Sequence, residues 1–539
     1  MTALPVRSFL DKPAVPITVA TVLLFLLEAF SIFANGAYFL GPMTLDVIAA
    51  WFLLAAVAWL GPNSVIQPGW PMISLGLLFS LWLWSGVSML WTISADLTWD
   101  GFNRTGGYVA IFALGLFAGT DKRARNIAAW IFLAASFAAG LYSLGVKLLP
   151  AEITDPNGLG RTSIPLGYTN ALGLLMAMAF IVALYLAARP QAFWIMRMIA
   201  AAAALIFLLG LFFTLSRGAF LALFAGTATY FALVPLRLRS LTILSIAGVP
   251  ALLICWWSNA QVGLMNPSAT LTLKYQAAST LRLYLLLALV FVGLVFIFVY
   301  LAESKLHISS RKKTIAGAIL IGTITVACLT YATFFATSKP SLPAWVAQEW
   351  HAFAASKPTT NGADRLLEIS STVRWQLWKE AITSWKEHPV IGLGAQTFPL
   401  IHLMQRQRGV AFAKQAHGAE FDILSELGLV GIILAGSFLC LTMVLALNNF
   451  RKNKENSQRG LAGALFSMAI IYLIHSSYDW DWNMFALTLP FFFFTGVLVG
   501  WQPVTGRAAL GGIRHQRLDE LDITGQGPLK GNKNTTSKH

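Results

Sequence analysis

Apolar runs long enough to cross a lipid bilayer recur along almost the whole chain. Most are about 17–25 residues long, the length that a helix needs to cross the hydrocarbon core. The 539 residues are 57% hydrophobic and 11% charged, whereas soluble domains average about 45–50% apolar and about 25% charged. These features exclude a soluble globular protein. They predict an all-α, polytopic bundle of about 12–14 transmembrane helices.

The first apolar run follows Arg7 and Lys12. It is too long for the core of a signal peptide and more spans follow it, so we expect it to be retained. The predicted spans lie near 15–34, 43–60, 71–91, 105–119, 127–149, 165–187, 194–214, 218–234, 241–258, 282–301, 314–336, 419–447, 460–477 and 484–501.

The placement of Lys and Arg predicts the orientation of these spans. If the N-terminus is cytoplasmic and the spans alternate, most of the 38 basic residues fall in inside segments. Every short inside loop except 61–70 is then basic. Both termini are therefore predicted to be cytoplasmic, with one long loop outside. The predicted regions are N-terminal transmembrane helices (1–336), an extracytoplasmic helical loop (337–418), C-terminal transmembrane helices (419–501) and a cytoplasmic polar tail (502–539).

The long loop contains a stretch with the apolar spacing of an amphipathic helix, DRLLEISSTVRWQLWKEAITSWKEH at 364–388. The loop is also rich in tryptophan and carries more basic than acidic residues. A basic, helical, Trp-rich cap favours an anionic, lipid-linked ligand. Simple binding to lipid headgroups is the alternative.

Several common catalytic patterns are absent from the sequence. It has no GxxxxGK[ST], HExxH or GxSxG pattern and no Cys/His metal cluster, which disfavours ATP-driven transport and zinc hydrolysis. The three cysteines, Cys255, Cys328 and Cys440, all lie in apolar runs and are expected to be small buried hydrophobes. The pI of about 9.8 reflects membrane orientation, so no nucleic-acid partner is predicted.

Two arginines lie at predicted outer ends of spans, where a charge needs a partner or a role. Arg217 interrupts the apolar stretch FFTLSRGAFLAL and is a candidate fixed cation for a phosphate; a snorkelling arginine is the alternative. Arg161 precedes Tyr168 and Asn170 at the start of a span. These three are candidates for substrate binding, and a loop arginine with a helix–helix contact explains them equally well.

Arg374 and His417 are the candidates from the long loop. Arg374 lies on the polar side of the predicted loop helix, where taken alone it would be a solvated charge. His417 lies at the outer start of the next span and can accept a proton near neutral pH. Glu420, one turn away, could orient it. A capping or interfacial histidine is the alternative interpretation.

The last cluster is HSSYDWDWNM at 475–484, with His475, Asp479 and Asp481 at the outer end of the penultimate span. An Asp-x-Asp pair is typical of metal-dependent transferases that use soluble cytoplasmic nucleotide sugars, but this pair is predicted to face outward. We therefore favour a structural or substrate-orienting role over metal binding.

Taken together, and with their order along the chain, five segments resemble the O-antigen ligase and O-antigen polymerase superfamily. They are SRGAF (216–220), RTSIPLGYTNALG, VRWQLWKEAITSWKEHPVIGLGAQTF (373–398), HGAEFDILSELGLVG (417–431) and HSSYDWDW. The resemblance covers about 160–485. Family members often have Asn after the histidine at the end of the loop, where this chain has Gly418. The resemblance does not decide between ligase and polymerase.

The resemblance implies a membrane glycosyltransferase at the outer face of the bacterial plasma (inner) membrane. It would move a glycan from a polyprenyl-diphosphate donor, such as an undecaprenyl diphosphate, to a hydroxyl of a glycan or glycolipid acceptor, with inversion. The diphosphate would bind Arg217 first, then Arg161 and Arg374, because guanidinium forks match phosphate oxygens. His417 would be the general base, and Tyr168, Asn170, His475 and Asp479 would contact substrate.

With cations supplied by side chains, we expect no metal or cofactor. A transporter or flippase for lipid-linked glycans is the alternative class, since it also needs many spans and outer-face cations. Transporters commonly place charged sites near the bilayer midplane within internal repeats. No such repeat is visible here, which favours an enzyme.

Overall fold

The computed structural model describes residues 15–61, 69–158, 160–305, 373–406, 411–453 and 455–501, with isolated positions between 315 and 351. The predicted span at 314–336, the first part of the predicted loop helix (364–372) and the tail at 502–539 therefore lie outside the described residues, apart from single positions of that span.

Within the six continuous ranges the chain forms sixteen α-helices and no strand, which confirms the all-α prediction. The helices are α1 (Val15–Phe33), α2 (Leu40–Leu60), α3 (Trp70–Val87), α4 (Ala95–Ala118), α5 (Lys122–Leu148), α6 (Thr169–Ala188), α7 (Trp194–Thr214), α8 (Arg217–Leu233), α9 (Arg237–Asn259), α10 (Val262–Met265), α11 (Leu271–Lys305), α12 (Arg374–Glu387), α13 (Phe398–Gln405), α14 (Ala419–Lys452), α15 (Asn456–Ser476) and α16 (Phe485–Gly500).

Thirteen of the predicted spans coincide with helices α1–α9, α11 and α14–α16. Among the described helices, ten are long and apolar enough to cross a membrane, and α8 and α16 are shorter apolar helices. Helix α4 begins ten residues before the predicted span at 105–119. Its polar first half was not recognised because side chains such as Thr98 and Arg104 are buried against protein rather than in lipid. The chain is a multi-pass membrane protein.

Polar contacts join loops that are predicted to lie on the same side of the membrane if the spans alternate in direction. At one end of the bundle, Lys122 pairs with Glu455 at 3.2 Å, and Arg125 donates to Gln458 at 3.0 Å. At the other end, Arg374 pairs with Asp479 at 2.8 Å. We call this second end the site end. In these three contacts, both partners come from segments that the charge pattern assigns to the same side.

Helices α4 and α16 pack through paired glycines. Gly115 on α4 and Gly119, the residue that follows its end, have the small-xxx-small spacing that lets transmembrane helices approach closely, as do Gly496 and Gly500 on α16. A Cβ at Gly496 would overlap the carbonyl oxygen of Phe112 and lie 3.0 Å from the Cα of Gly115. This backbone contact fixes α16, and with it the loop before α16 that carries Asp479.

A segment of the long loop fills a break in α14. Gly428 has φ +65° and interrupts the helix. Residues 389–394, which we call the strap, pair with the exposed backbone: Leu429 N–H donates to the Pro389 carbonyl at 2.9 Å, and Gly394 N–H donates to the Glu426 carbonyl at 2.8 Å. The strap therefore satisfies backbone groups that the break would leave unpaired.

The glycine contact predicts that Gly496→Ala destabilises the protein. Because the added methyl group has no room, we expect a loss of about 1–3 kcal/mol in the free energy of unfolding in detergent. Gly436→Ala on α14 is the matched control, since a Cβ there meets nothing within 4 Å; we expect a change of at most about 0.5 kcal/mol. Equal stabilities of the two variants would contradict the packing.

Candidate functional site

Asp479 lies at the centre of the polar groups at the site end. Its side chain is 1% exposed. It accepts hydrogen bonds from Asn170 Nδ2 at 2.7 Å, Arg374 Nη2 at 2.8 Å and Tyr168 Oη at 2.9 Å. His417 Nδ1 lies 3.3 Å from the carboxylate. We call these five residues the Asp479 cluster. It unites five of the eight candidates that the sequence suggested.

The start of α6 supplies two members of the cluster. Tyr168 is the residue before the helix and Asn170 is in its first turn. Tyr168 stacks on Trp480 with ring centroids 4.6 Å apart, and Asn170 also donates to Tyr168 Oη at 2.8 Å. The amide of Asn170 and the phenol of Tyr168 therefore contact each other as well as Asp479.

Arg374 reaches the cluster from the first residue of α12. Its side chain is 18% exposed and forms an ion pair with Asp479. The expectation that Arg374 taken alone would be a solvated charge is wrong. The apolar side of α12, including Leu377 and Ala381, packs on Phe398 and Ile401 of α13, which fixes the position from which the guanidinium extends.

His417 is held by its backbone as well as by its ring. It has φ +56°, a left-handed conformation that histidine adopts more readily than most residues. Its carbonyl oxygen accepts a hydrogen bond from Trp378 Nε1 at 3.0 Å, and the preceding N–H, of Ala416, donates to Asp422 at 2.7 Å. Its side chain remains 21% exposed. The imidazole is therefore fixed in place yet accessible.

The carboxylate that orients His417 is Asp479. Glu420 instead accepts a hydrogen bond from Ser477 Oγ at 2.8 Å and is exposed, so the expectation that Glu420 orients the histidine is wrong. Gly418 is closely packed: a Cβ would lie 2.9 Å from the Phe421 ring and 3.0 Å from the Ser477 carbonyl oxygen. This backbone leaves no room for the asparagine that family members often have there.

Opposite charges keep Asp479 ionised. Burial alone would raise the pKa of its carboxyl group. The charge of Arg374 and the hydrogen bond from His417 lower this pKa by more than burial raises it, so it lies well below the ordinary value. Burial similarly disfavours the charged form of Arg374, whereas Asp479 and Tyr168 favour it, and the pKa of Arg374 is raised. Tyr168 stays a neutral phenol because burial and Asp479 both raise its pKa.

Arg217 begins α8 directly after the turn from α7, and the side chain of Arg161, from the loop before α6, contacts the end of α7. Arg161 Nε donates to the Thr214 carbonyl at 2.7 Å, and Arg161 Nη2 donates to Asn170 Oδ1 at 3.0 Å. Arg161 is therefore one side chain removed from Asp479. Arg217 is half-buried in the first turn of α8. The next residue, Gly218, accepts a hydrogen bond from Tyr478 Oη at 2.6 Å, which anchors this turn beside the cluster.

His475 and Asp481 form a separate pair. Both side chains are buried, and His475 Nδ1 lies 2.5 Å from Asp481 Oδ2. The two carboxylates of the Asp-x-Asp sequence are thus engaged by different partners, Asp479 by the cluster and Asp481 by His475. A substrate-binding role for His475 stays a prediction.

Sequence reasoning missed the support beneath the cluster. Arg104 on α4 is buried and donates to the carbonyl oxygens of Asn483 and, at 3.2 Å, Tyr38. Gln396 donates to Asn483 Oδ1 at 2.5 Å. Because Arg104 directly precedes a predicted span, its charge at a membrane boundary was a signal that could have identified it.

Comparison with known families finds a match over part of the chain. Residues 268–436 match the family model described as O-Antigen ligase. The predicted resemblance to the O-antigen ligase superfamily is confirmed. The match supports a membrane glycosyltransferase of the O-antigen ligase or polymerase type. A search of curated proteins finds no match.

The stretch that matches the O-Antigen ligase model contains Arg374 and His417. The other members of the Asp479 cluster, Tyr168, Asn170 and Asp479, lie outside it. In the folded chain, the start of α6 and the loop between α15 and α16 lie next to the matched residues. The cluster therefore combines residues from inside and outside the matched stretch.

Replacing Asp479 by Asn should be costly, because it leaves Arg374, whose side chain is only 18% exposed, without its counter-ion. We expect a loss of about 3–5 kcal/mol in the free energy of unfolding in detergent at pH 7. The lowered pKa of Asp479 contributes stability that is present above the ordinary Asp pKa of about 4 and lost as the pH falls. The deficit of the variant should therefore be constant between pH 7 and 9 and shrink below about pH 4.

Glu455→Gln is the control for this prediction, since the Lys122–Glu455 pair is about half exposed on both sides. Its cost should be at most about 1 kcal/mol. If the two variants cost the same, the Asp479 ion pair does not stabilise the site as described.

Proposed function

We propose that the protein is a glycosyltransferase that moves a glycan from a polyprenyl-diphosphate donor to a hydroxyl group of a glycan or glycolipid acceptor. The observation that carries the proposal is the Asp479 cluster, which holds an accessible histidine beside a buried carboxylate and a guanidinium at one end of a helix bundle. The family match supports the same reaction class. We propose that this end faces the outside of the bacterial plasma membrane, with both termini in the cytoplasm.

His417 is the general base in this scheme. When Nδ1–H donates to the ionised Asp479, the other ring nitrogen, Nε2, carries the lone pair. Nε2 takes the proton of the acceptor hydroxyl as the oxygen attacks the anomeric carbon. The present Nδ1–Oδ1 distance of 3.3 Å is long, and such contacts commonly shorten when substrate binds.

The bond that breaks joins the anomeric carbon to the lipid diphosphate. Attack from the opposite face gives inversion, and the diphosphate leaves with the bonding electron pair. Its negative charge needs fixed cations in a site from which water is largely excluded. We assign this role first to Arg217 and then to Arg161. Arg374 contributes less, since Asp479 already compensates its charge.

This scheme uses protein cations and one histidine, so we expect transfer to proceed without a divalent metal. A polysaccharide polymerase of the same superfamily would use the same steps with a glycan hydroxyl as acceptor. A flippase for lipid-linked glycans is the competing class. The accessible base at one end of the bundle favours the enzyme, because transport alone requires no proton acceptor at the surface.

His417→Ala should abolish transfer by the purified protein while leaving donor binding largely intact. General base catalysis is typically worth about 10²–10⁴-fold in rate, so kcat should fall by that factor in the presence of EDTA. His388→Ala, which changes an exposed histidine after α12, is the matched control and should transfer like wild type.

Radiolabelled lipid-linked glycan and a panel of acceptors would measure the transfer. Equal rates for both histidine variants would remove His417 from catalysis. Transfer that stops in EDTA and returns with a divalent ion would contradict the metal-free scheme.

A further inference from the structure

A polar pocket lies at the site end, next to the Asp479 cluster but not part of it. It has a volume of about 230 Å³ and is lined by residues from the last turn of α5, the loop at 149–168 and the segment from α10 to the start of α11. Three cationic side chains line it, Lys147, Arg161 and Lys274, against one acidic side chain, Asp155. The charges that line the pocket therefore sum to a net positive value.

Lys147 is the most buried of these cations, at 8% exposed. Its Nζ donates to the carbonyl oxygens of Leu264 at 2.6 Å and Gly160 at 2.8 Å. An ammonium group has three donors, so these two carbonyls fix the group and leave a third N–H for a ligand. The two bonds tie α5 to both other walls of the pocket.

Lys274 lies across the pocket in the first turn of α11 and is half-buried. Its Nζ donates to the Pro267 carbonyl at 2.9 Å. The carboxylate of Asp155 is already engaged, because it accepts hydrogen bonds from the hydroxyl of Ser163 and from the backbone N–H groups of Ser163 and Asn157. The ammonium groups of Lys147 and Lys274 therefore donate to uncharged backbone carbonyls, which fix their positions without neutralising their charges.

We infer that this pocket is a phosphate-binding site. Two lysines and an arginine around one pocket match the charge and the acceptor oxygens of a phosphate or diphosphate. The pocket is smaller than the roughly 300–1,000 Å³ of sites that enclose a whole drug-sized ligand. It therefore fits an anionic head group whose remainder lies outside.

Arg161 links this pocket to the cluster. Arg161 is one of the residues that line the pocket, and its Nη2 donates to Asn170 at 3.0 Å; Asn170 donates to Asp479 at 2.7 Å. The source of the phosphate rests on the proposed function: it is either the diphosphate of the lipid-linked donor or a phosphate on the acceptor glycan. The site itself does not depend on transfer.

The test is calorimetric titration of inorganic pyrophosphate into the full-length protein in detergent. We expect wild type to bind, Lys274→Gln to bind about tenfold more weakly, equivalent to about 1.4 kcal/mol, and Lys274→Arg to bind within about threefold of wild type because it keeps the charge. Lys386→Gln removes an equal charge from an exposed position on α12 and should bind like wild type. Lys147→Gln is the second pocket variant and should also weaken binding.

No pyrophosphate binding by wild type, or equal binding by wild type and both pocket variants, would overturn the site. An equal loss in Lys386→Gln would also overturn it, because the effect would then come from overall charge. Two further titrations distinguish the sources, one with geranyl diphosphate, which resembles the donor, and one with glucosamine 6-phosphate, whose phosphate is not on the anomeric carbon. The source is the donor if geranyl diphosphate binds more tightly than pyrophosphate and loses affinity in Lys274→Gln, and the acceptor if glucosamine 6-phosphate does so.

These outcomes are separable from the proposed function. A protein that transfers glycan but binds no pyrophosphate would lose the phosphate site and keep its assignment as a transferase. A protein that binds pyrophosphate through Lys274 but transfers no glycan would keep the site and lose the assignment.

Discussion

The buried carboxylate of Asp479 is the interaction on which the arrangement of the site depends. Removing an ionised carboxylate from water is costly unless hydrogen bonds and an opposite charge replace the solvent. Asp479 obtains these from Arg374, Asn170, Tyr168 and His417. The donors come from α12, from the start of α6 and from the loop before α14. Satisfying one carboxylate therefore requires three distant parts of the chain to meet.

The strap explains why the loop can deliver its residues to this point. By pairing with the broken backbone of α14 around Gly428, it fixes the loop to a membrane helix. Glu426 adds a second tie, because its carboxylate accepts the backbone N–H of Gln396 at 2.8 Å and of Phe398 at 3.2 Å. The left-handed backbone of His417, a strain of about 1–3 kcal/mol, is held by the hydrogen bonds that Trp378 and Asp422 make to residues 416–417.

The sequence predicts the helices better than it predicts the contacts of the site. Hydropathy identified thirteen described helices, because the length of an apolar run is a local property. The partners of Asp479 are not local: Arg374 is 105 residues away and His417 is 62 residues away. Chain proximity instead favoured Glu420 as the partner of His417, and amphipathic spacing placed Arg374 on a solvated face. The sequence named five residues that the fold brings together around Asp479, but it did not show how they contact one another.

The most direct test of the account is whether His417 and Asp479 act as one unit in glycan transfer. Single variants His417→Ala and Asp479→Asn and the double variant would be compared in single-turnover transfer from a lipid-diphosphate donor. If Asp479 acts largely through His417, adding Asp479→Asn to His417→Ala should slow transfer by much less than it slows wild type. If the double variant instead shows the product of the two single-variant rate reductions, the account is contradicted, because the carboxylate and the histidine would then act independently.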